Sequence, residues 1–352
     1  MSSLKPLGKT ITKIFKLIFK MKRGYYRKSG YFTGLKQFWP IDSHEDVVKA
    51  LDKLSNKNKA VSISTFDFST LYTKIPHAKL IEVLHSTAKS VFNDTNRKFV
   101  CVSSNNAYFV KGKSKYFMFS VDDINKCCKF LVDNAYFRIG DAIFRQTIGI
   151  PMGSDPAPFF ANLFLSYFEA KWVKSQNGEN INKARSLIFT FRFIDDLTTL
   201  NDQGVFEQSI SDIYPLELVL NKKNYDSNQR ATFLDLDVNV VDSKFDYQLY
   251  DKRKAFNFKA VRFPFADSNM PFKIFYNTIS TEILRICRAS SKYPTFKKHS
   301  IEFIKHMREQ GAKLDKMKTS IDRLIRKHTD NFAKFEVDHN RIINELFSTQ
   351  VL

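Results

Sequence analysis

FRFIDDLTTLN, residues 191–201, sets two neighbouring acids, Asp195 and Asp196, inside an apolar run. Phe191, Phe193 and Ile194 precede them and Leu197 follows. A carboxylate beside aromatic rings is costly unless something positive sits next to it. Widened to SLIFTFRFIDDLTTLN, residues 186–201, the stretch predicts two short strands with the acids at the turn between them. What the positive partner is, and which other segments supply its remaining ligands, decides the fold.

Working outward, a second acid occupies a similar setting. Asp67 stands in the middle of STFDFSTLY, residues 64–72, among Phe66, Phe68 and Leu71. Residues 60–72 are rich in β-branched and aromatic side chains and predict a strand. Adjacent strands would bring Asp67 and the Asp195–Asp196 pair into one coordination sphere. Two Mg²⁺ ions about 4 Å apart bind such a trio and clamp the attacking and leaving oxygens of a phosphoryl transfer; Mn²⁺ is the alternative ion. Magnesium takes carboxylates together with substrate phosphate oxygens, so the trio predicts a triphosphate substrate. Each piece also has an ordinary reading, since paired acids are common on surfaces and a mid-strand acid is often a structural ion-pair partner. FLDLDV, residues 233–238, offers a rival pair, Asp235 and Asp237, expected on one face of a strand.

Between the two acid sites lies GIPMGSDPAPFFANLF, residues 149–164. Gly149 and Gly153 flank Pro151, and glycine lets backbone approach a ligand where a Cβ would clash. Pro156 suits the first turn of the helix that follows. The same residues also describe an ordinary strand–turn–helix joint.

Composition bounds the partners. The 352 residues are 43% hydrophobic, enough for two or three structural units sharing a sizeable core. No apolar run is long enough to span a membrane, so no membrane partner is expected. Lys and Arg number 56 against 36 acids, a formal charge of +20, accompanied by 35 Phe and 14 Tyr. Cations interleaved with aromatic faces suit nucleic acid, whose phosphates and bases they match. Cys101, Cys127, Cys128 and Cys287 form no CxxC pair and no disulfide framework, and read as reduced thiols of an intracellular protein. The seven His show no zinc-ligand spacing. Asp42 is the first acid of the chain. Ahead of it Lys5, Lys9, Lys13, Lys16, Lys20, Lys22, Arg23, Arg27, Lys28 and Lys36 surround Ile11, Ile14, Phe15, Ile18 and Phe19 at helical spacing. That is a basic amphipathic helix suited to lying along phosphates, although a mitochondrial transit peptide has the same composition.

The remaining elements follow from periodicity. Residues 42–54 predict a helix capped by Asp42 or Ser43, and 77–92 a helix after Pro76. Residues 105–119 predict a hairpin turning at Gly112, and 121–137 a helix. Residues 144–158 read as a strand entering the Gly-Pro turn, 158–173 as a buried apolar helix, and 206–214 as a short helix. LELVL (216–220) and ATFLDLDVNVV (231–241) read as strands, and from 271 onward the pattern is helical, with Leu314, Met317, Ile321, Leu324 and Ile325 at helical spacing. The fold class expected is α+β with antiparallel strands.

FDFSTLYTKIPH, IGIPMGSDPAPFFANLFL, FRFIDDL, FLDLDV and LYDKRKAFNF, five motifs in this order, resemble Penelope-like retroelement reverse transcriptases over roughly residues 3–350. The resemblance implies a right-hand polymerase: residues 1–59 partial fingers and basic N-terminal helices, 60–250 an antiparallel-sheet palm carrying the 105–119 insertion, and 251–352 a basic helical thumb. It implies an RNA-directed DNA polymerase acting on an RNA template, a DNA primer and dNTP, in the nucleus, with two Mg²⁺. Asp67 and Asp195 are then metal ligands, helped by the Phe68 carbonyl, and Asp196 is the third carboxylate. Tyr72 is the gate under the sugar that excludes a 2′-hydroxyl. Met152 and Gly153 meet the nascent base pair, and Phe233, Leu234 and Leu236 fall where such enzymes grip the primer. Lys222 or Lys223 is the general acid for pyrophosphate, the choice between them left open.

The chain departs from the family in places. Phe193 stands where most members carry Tyr, and Met152 where many have Gln. The family's upstream fingers motif and its GIY-YIG endonuclease are not in this sequence, so a truncated retroelement piece is expected. A catalytically weak or inactive nucleic-acid-binding remnant is the alternative function. Oligomeric state is not legible.

Overall fold

The structure is a computed structural model that describes residues 4–112, 114–224, 229–258 and 261–348. In chain order the elements are α1 (Lys5–Thr33), α2 (Glu45–Ser55), β1 (Ile63–Phe68), α3 (Leu71–Lys74), α4 (His77–Thr95), β2 (Phe99–Val102), β3 (Ala107–Val110), β4 (Phe117–Phe119), α5 (Val121–Asp133), β5 (Tyr136–Ile139) and β6 (Ala142–Arg145). There follow α6 (Ala157–Ser175), α7 (Ile181–Ser186), β7 (Thr190–Phe193), β8 (Asp196–Leu200), α8 (Val205–Ile213), β9 (Leu220–Lys222), β10 (Arg230–Phe233), β11 (Leu236–Val241) and β12 (Lys244–Leu249). The chain ends in α9 (Phe272–Arg288), α10 (Tyr293–Glu309), α11 (Leu314–Lys327), α12 (Thr329–Ala333) and α13 (His339–Leu346). This is the α+β class expected, and the described pairings are antiparallel apart from one isolated parallel bridge, Pro40 to Arg192.

Contacts divide the chain into two units, residues 1–42 with 65–223, and residues 43–64 with 224–352. The units do not follow the expected regions 1–59, 60–250 and 251–352: β10–β12 group with the C-terminal helices, and α1 groups with the sheet that bears the acids.

In the first unit the sheet order is β7-β8-β1-β9. Apolar helix α6 and the inner face of α1 form its core. Phe160, Phe164, Leu165, Ile11, Ile14, Phe15 and Ile18 are buried, and Phe15 meets Phe160 edge-on at 5.1 Å. Each such side chain contributes roughly 1.5–3 kcal/mol on burial. The outer face of α1 keeps Lys9, Lys16, Lys20 and Arg27 exposed, the arrangement its spacing predicts. The outer edge of β7 is covered by residues 39–41, through Arg192 N–H to the Trp39 carbonyl and Ile41 N–H to the Arg192 carbonyl, both 2.9 Å.

Several local expectations need correction. Residues 105–119 are not a hairpin: β3 and β4 both pair with β2 and lie on either side of it. Two strands antiparallel to the same neighbour run parallel to each other, and the buried FVCV strand takes the centre because it has the most apolar surface to hide. Of the turn proposed there, Lys113 lies outside the described residues. The helix at 121–137 stops at Asp133, and Tyr136 and Phe137 open β5, which turns at Gly140–Asp141 into β6. Ser120 and Asp123 close a capping box at the start of that helix. Strand β1 spans 63–68 only, since Leu71–Lys74 coil into a helical turn. LELVL is mostly loop, with β9 beginning at Leu220, and ATFLDLDVNVV is two strands broken at Leu234–Asp235, where Leu234 has φ +54°. Neither Asp42 nor Ser43 is the N-cap of α2. Asp42 pairs with Arg23, while the Ser43 hydroxyl accepts the Glu45 N–H just before the helix.

In the second unit the sheet β10-β11-β12 accompanies α2 and the C-terminal helices. Met317, Ile321, Leu324 and Ile325 of α11 are buried as their spacing predicts. All four cysteines are free. No helix among the described residues is long and apolar enough to cross a membrane.

Candidate functional site

The two acid motifs meet on adjacent strands of the first unit's sheet. Phe193 pairs with Asp196, so Ile194 and Asp195 form a two-residue turn between β7 and β8. β1 lies beside β8, and the Phe68 N–H donates to the Asp195 carbonyl at 3.2 Å. Lys223 closes the cluster: its Nζ is 3.2 Å from Asp67 Oδ1 and 3.2 Å from Asp196 Oδ1. Those two carboxylate oxygens are therefore no farther apart than twice that distance. Burial pushes the Asp195 carboxyl above its ordinary pKa, and the charges of Asp196 and Asp67 add to the effect against the opposing Lys223. Burial pulls the Lys223 ammonium down, but Asp196 and Asp67 outweigh it and hold its pKa raised. Asp67 and Asp196 thus share one cation, Lys223, with Asp195 in the adjoining turn.

Lysine geometry separates what the sequence left open. Lys222 pairs opposite Phe66 in the ladder, and its Nζ binds Glu207 Oε2 at 2.6 Å. Lys223 is the one at the carboxylates, since successive side chains of an extended segment point to opposite faces. The rival pair is already neutralised. Asp235 lies 2.7 Å from His44 and 2.8 Å from Arg285. Despite its burial these partners hold the Asp235 carboxyl down to about 2. Asp237 is buried against Arg230 at 3.1 Å and Gln248 at 3.2 Å.

Tyr72, on α3, is half-buried. Burial first, then the charge of Asp195, raises its phenol pKa. The Gly-rich turn fixes the backbone of α3. Ile150 N–H donates to the Tyr72 carbonyl and Gly149 N–H to the Ile75 carbonyl, both 2.8 Å. Gly149 has φ +89°, and a Cβ there would lie 2.3 Å from the Tyr72 carbonyl oxygen. Gly149→Ala is therefore expected to lower stability by roughly 3 kcal/mol, combining strained backbone with overpacking; a thermal melt of the variant checks it. Gly153 has φ +85° but open space around its Cβ position. Met152 beside it is exposed. Both line a cavity of about 790 Å³ with Tyr72, Gln146 and Phe160.

Phe68 is buried and packs edge-on against Tyr214 at 4.9 Å. Phe233, Leu234 and Leu236 belong to the second unit, where Phe233 and Leu236 are buried and Leu234 occupies the turn.

A buried polar network lies behind the acid turn. Arg192 and Glu169 are both fully buried, with Nε 2.5 Å from Oε1. Arg192 also donates to Asn162 Oδ1 at 2.8 Å and Ser166 Oγ at 3.1 Å, while the Tyr214 hydroxyl donates to Glu169 at 3.0 Å. Its Nη1 donates to the Ile194 carbonyl at 2.9 Å. Ile194 sits at φ +55°, a conformation a β-branched residue rarely adopts, and this bond helps hold it. No sequence motif singles out these residues. The signal was present: a lone Glu inside the apolar run FLSYFEAKWV, and a lone Arg in FTFRFIDD.

The donor set suits a hard divalent cation, being all carboxylate oxygen beside a Gly-rich turn that leaves space for a ligand. Among the described residues no group of three or more His, Cys, Asp or Glu side chains is arranged to hold a metal ion. Magnesium sites that use one or two carboxylates and borrow the remaining ligands from substrate phosphates do not need such a group.

No family model matches the chain, and no curated protein matches it. Solved structures do. Telomerase from Candida albicans, solved in complex with a TWJ fragment of telomeric RNA, superposes with TM-score 0.52 at 12% identity, covering 96% of this chain and 58% of that one. Telomerase from Candida tropicalis in complex with a TWJ fragment of telomeric RNA aligns with TM-score 0.48 at 15% identity, covering 97% and 56%, too weak a likeness to add to the first. This chain thus spans little more than half the length of those telomerase chains. The likeness to the Candida albicans protein shows a reverse-transcriptase-like fold.

Proposed function

We propose that the chain is an RNA-directed DNA polymerase, a reverse transcriptase of Penelope-like retroelement origin. The finer assignment rests on the order of the five sequence motifs; the fold is consistent with it, and a nuclear location goes with that origin. The observation that carries the reading is Lys223 bridging Asp67 and Asp196, with Asp195 in the turn beside Asp196.

The primer 3′-oxygen attacks the α-phosphorus of a dNTP, the bond to the bridging oxygen breaks, and pyrophosphate leaves. Asp67 and Asp195, with Asp196 beside them, are the residues that would hold Mg²⁺ or Mn²⁺. Bound there, such an ion supplies positive charge for the oxygens that become negative in phosphoryl transfer. Tyr72 restricts the room beneath the sugar, which favours dNTP over the ribonucleotide. Gly153 lets backbone approach the new base pair. Lys223 gives a proton to departing pyrophosphate; its contacts with Asp67 and Asp196 support it over Lys222, which Glu207 engages.

The test is extension of oligo(dT) on poly(rA) with dTTP and Mg²⁺ or Mn²⁺. Template-dependent incorporation is expected. No incorporation with either ion overturns the reading. A second reading, RNA binding without turnover, is favoured by one observation: Lys223 already neutralises two of the carboxylates. It predicts salt-sensitive RNA binding with no incorporation.

A further inference from the structure

The β5–β6 hairpin has no place in the chemistry above, and its surface is unusual. All ten residues from 136 to 145 are exposed. They include Tyr136 at 60%, Ile139 at 64% and Ile143 at 73% relative exposure, with Phe137 and Phe144 also open to solvent. A two-stranded hairpin is marginal in water by itself, and apolar side chains exposed on both faces add to that cost. A ligand that covers them removes it.

The register shows what each face offers. Tyr136 pairs with Arg145, Phe137 with Phe144, Arg138 with Ile143 and Ile139 with Ala142. Strand alternation therefore puts Tyr136, Arg138, Ile143 and Arg145 on one face, and Phe137, Ile139, Ala142 and Phe144 on the other. The Phe137 and Phe144 rings stack on each other, 20° apart with centroids at 5.6 Å. The segment's one acid, Asp141, is engaged by Arg138 at 2.8 Å. The two faces thus present cations beside a tyrosine, and stacked rings beside aliphatic carbon.

Position adds a second argument. The Ala135 carbonyl accepts the Gln146 N–H at 2.8 Å and closes the base of the hairpin. Tyr136 and Phe137 line the same cavity as Tyr72, Met152 and Gly153. The hairpin is continuous with the candidate polymerase site.

We propose that the β5–β6 hairpin binds single-stranded nucleic acid, its arginines meeting phosphates and its aromatic rings stacking on bases. Where the polymerase reading holds, on which only this clause rests, the occupant is the unpaired template next to the site. A second copy of the chain would cover the phenylalanine face, but at +20 it would repel Arg138 and Arg145. A strand of stacked bases and phosphates uses both faces, and a chain of net charge +20 attracts it.

The test measures binding of a fluorescein-labelled 20-nucleotide poly(U), and of an RNA duplex of equal length, to the full chain without dNTP or divalent ion. Losing one stacked base costs about 5- to 150-fold in affinity. Phe137→Ser with Phe144→Ser, and Tyr136→Ala, are expected to weaken poly(U) binding within that range, with duplex binding unchanged and Tyr136→Phe restoring affinity. Arg145→Gln is expected to reduce the salt slope for poly(U) by about 0.7, the value of one phosphate contact on a single strand. Melting curves of these exposed-site variants should match wild type. Unchanged poly(U) affinity overturns the proposal, as does equal loss for duplex and single strand. Self-association that the phenylalanine variants abolish without touching poly(U) affinity also overturns it. Selective loss of poly(U) binding in a chain that never extends a primer upholds the hairpin site and removes the polymerase reading.

Discussion

Asp195→Asn is expected to lower primer extension about a thousandfold or more, the scale set by removing a main electrostatic element from a phosphoryl-transfer site. The same substitution is expected to leave the protein as stable as before, or more so. Asp195 is half-buried beside two other carboxylates, and burial followed by their charges raises its pKa. A folded pKa above the unfolded value, near 3.9, means that the ionised group destabilises the fold. The loss is complete above the folded pKa and absent below the unfolded one. Wild-type stability should therefore gain from this group as pH falls from neutral through that window, a gain missing from Asp195→Asn. Melting curves across the acid range measure it. A variant that extends primers normally, or that melts well below wild type at neutral pH, contradicts the role assigned to Asp195.

The second large effect is predicted behind the turn. Glu169→Leu strands the Arg192 guanidinium in the core and is expected to cost about 3–5 kcal/mol, the usual result of removing one partner of a buried pair. Glu169→Leu combined with Arg192→Met replaces both charges with apolar carbon and should recover most of that stability. It should not recover activity. Arg192 Nη1 is the donor on the Ile194 carbonyl, and Ile194 occupies its left-handed conformation next to Asp195. Without that donor the turn can relax and the carboxylate shifts, and small displacements at a catalytic group are costly. Recovered melting temperature with lost incorporation would mark Arg192 as a positioning residue. Recovery of both would reduce the network to a structural one.

The α+β class, the strand–turn–strand around Asp195–Asp196 and the apolar α6 helix were legible because each is a local pattern. Two short β-rich runs around adjacent acids have few other solutions, and α6 is apolar on nearly every face. The rest depended on partners distant in sequence. Nothing local says that β3 and β4 flank β2 instead of pairing with each other; competition for the sheet's centre decides that. The alternation in FLDLDV suggested one strand because Leu234 carries no turn signal, yet it takes a positive φ. Asp235 and Asp237 lost their claim through His44, Arg285 and Arg230. At the site, the acids stood out as charges in apolar runs, while Gly149, expected to make room for a ligand, instead makes room for the Tyr72 carbonyl. Lys223 could not be told from Lys222 until strand register set their faces.

One measurement reaches the claim that distant acids converge on a shared cation. Fe²⁺ substitutes for the divalent ion and, with ascorbate and peroxide, cuts backbone close to where it binds. Two cleavage sites are expected on the full chain, one near residue 67 and one near residues 195–196, both suppressed by Mg²⁺ and both lost in Asp67→Asn. Cleavage at one segment alone, or a cut near 195–196 that survives Asp67→Asn undiminished, would contradict it.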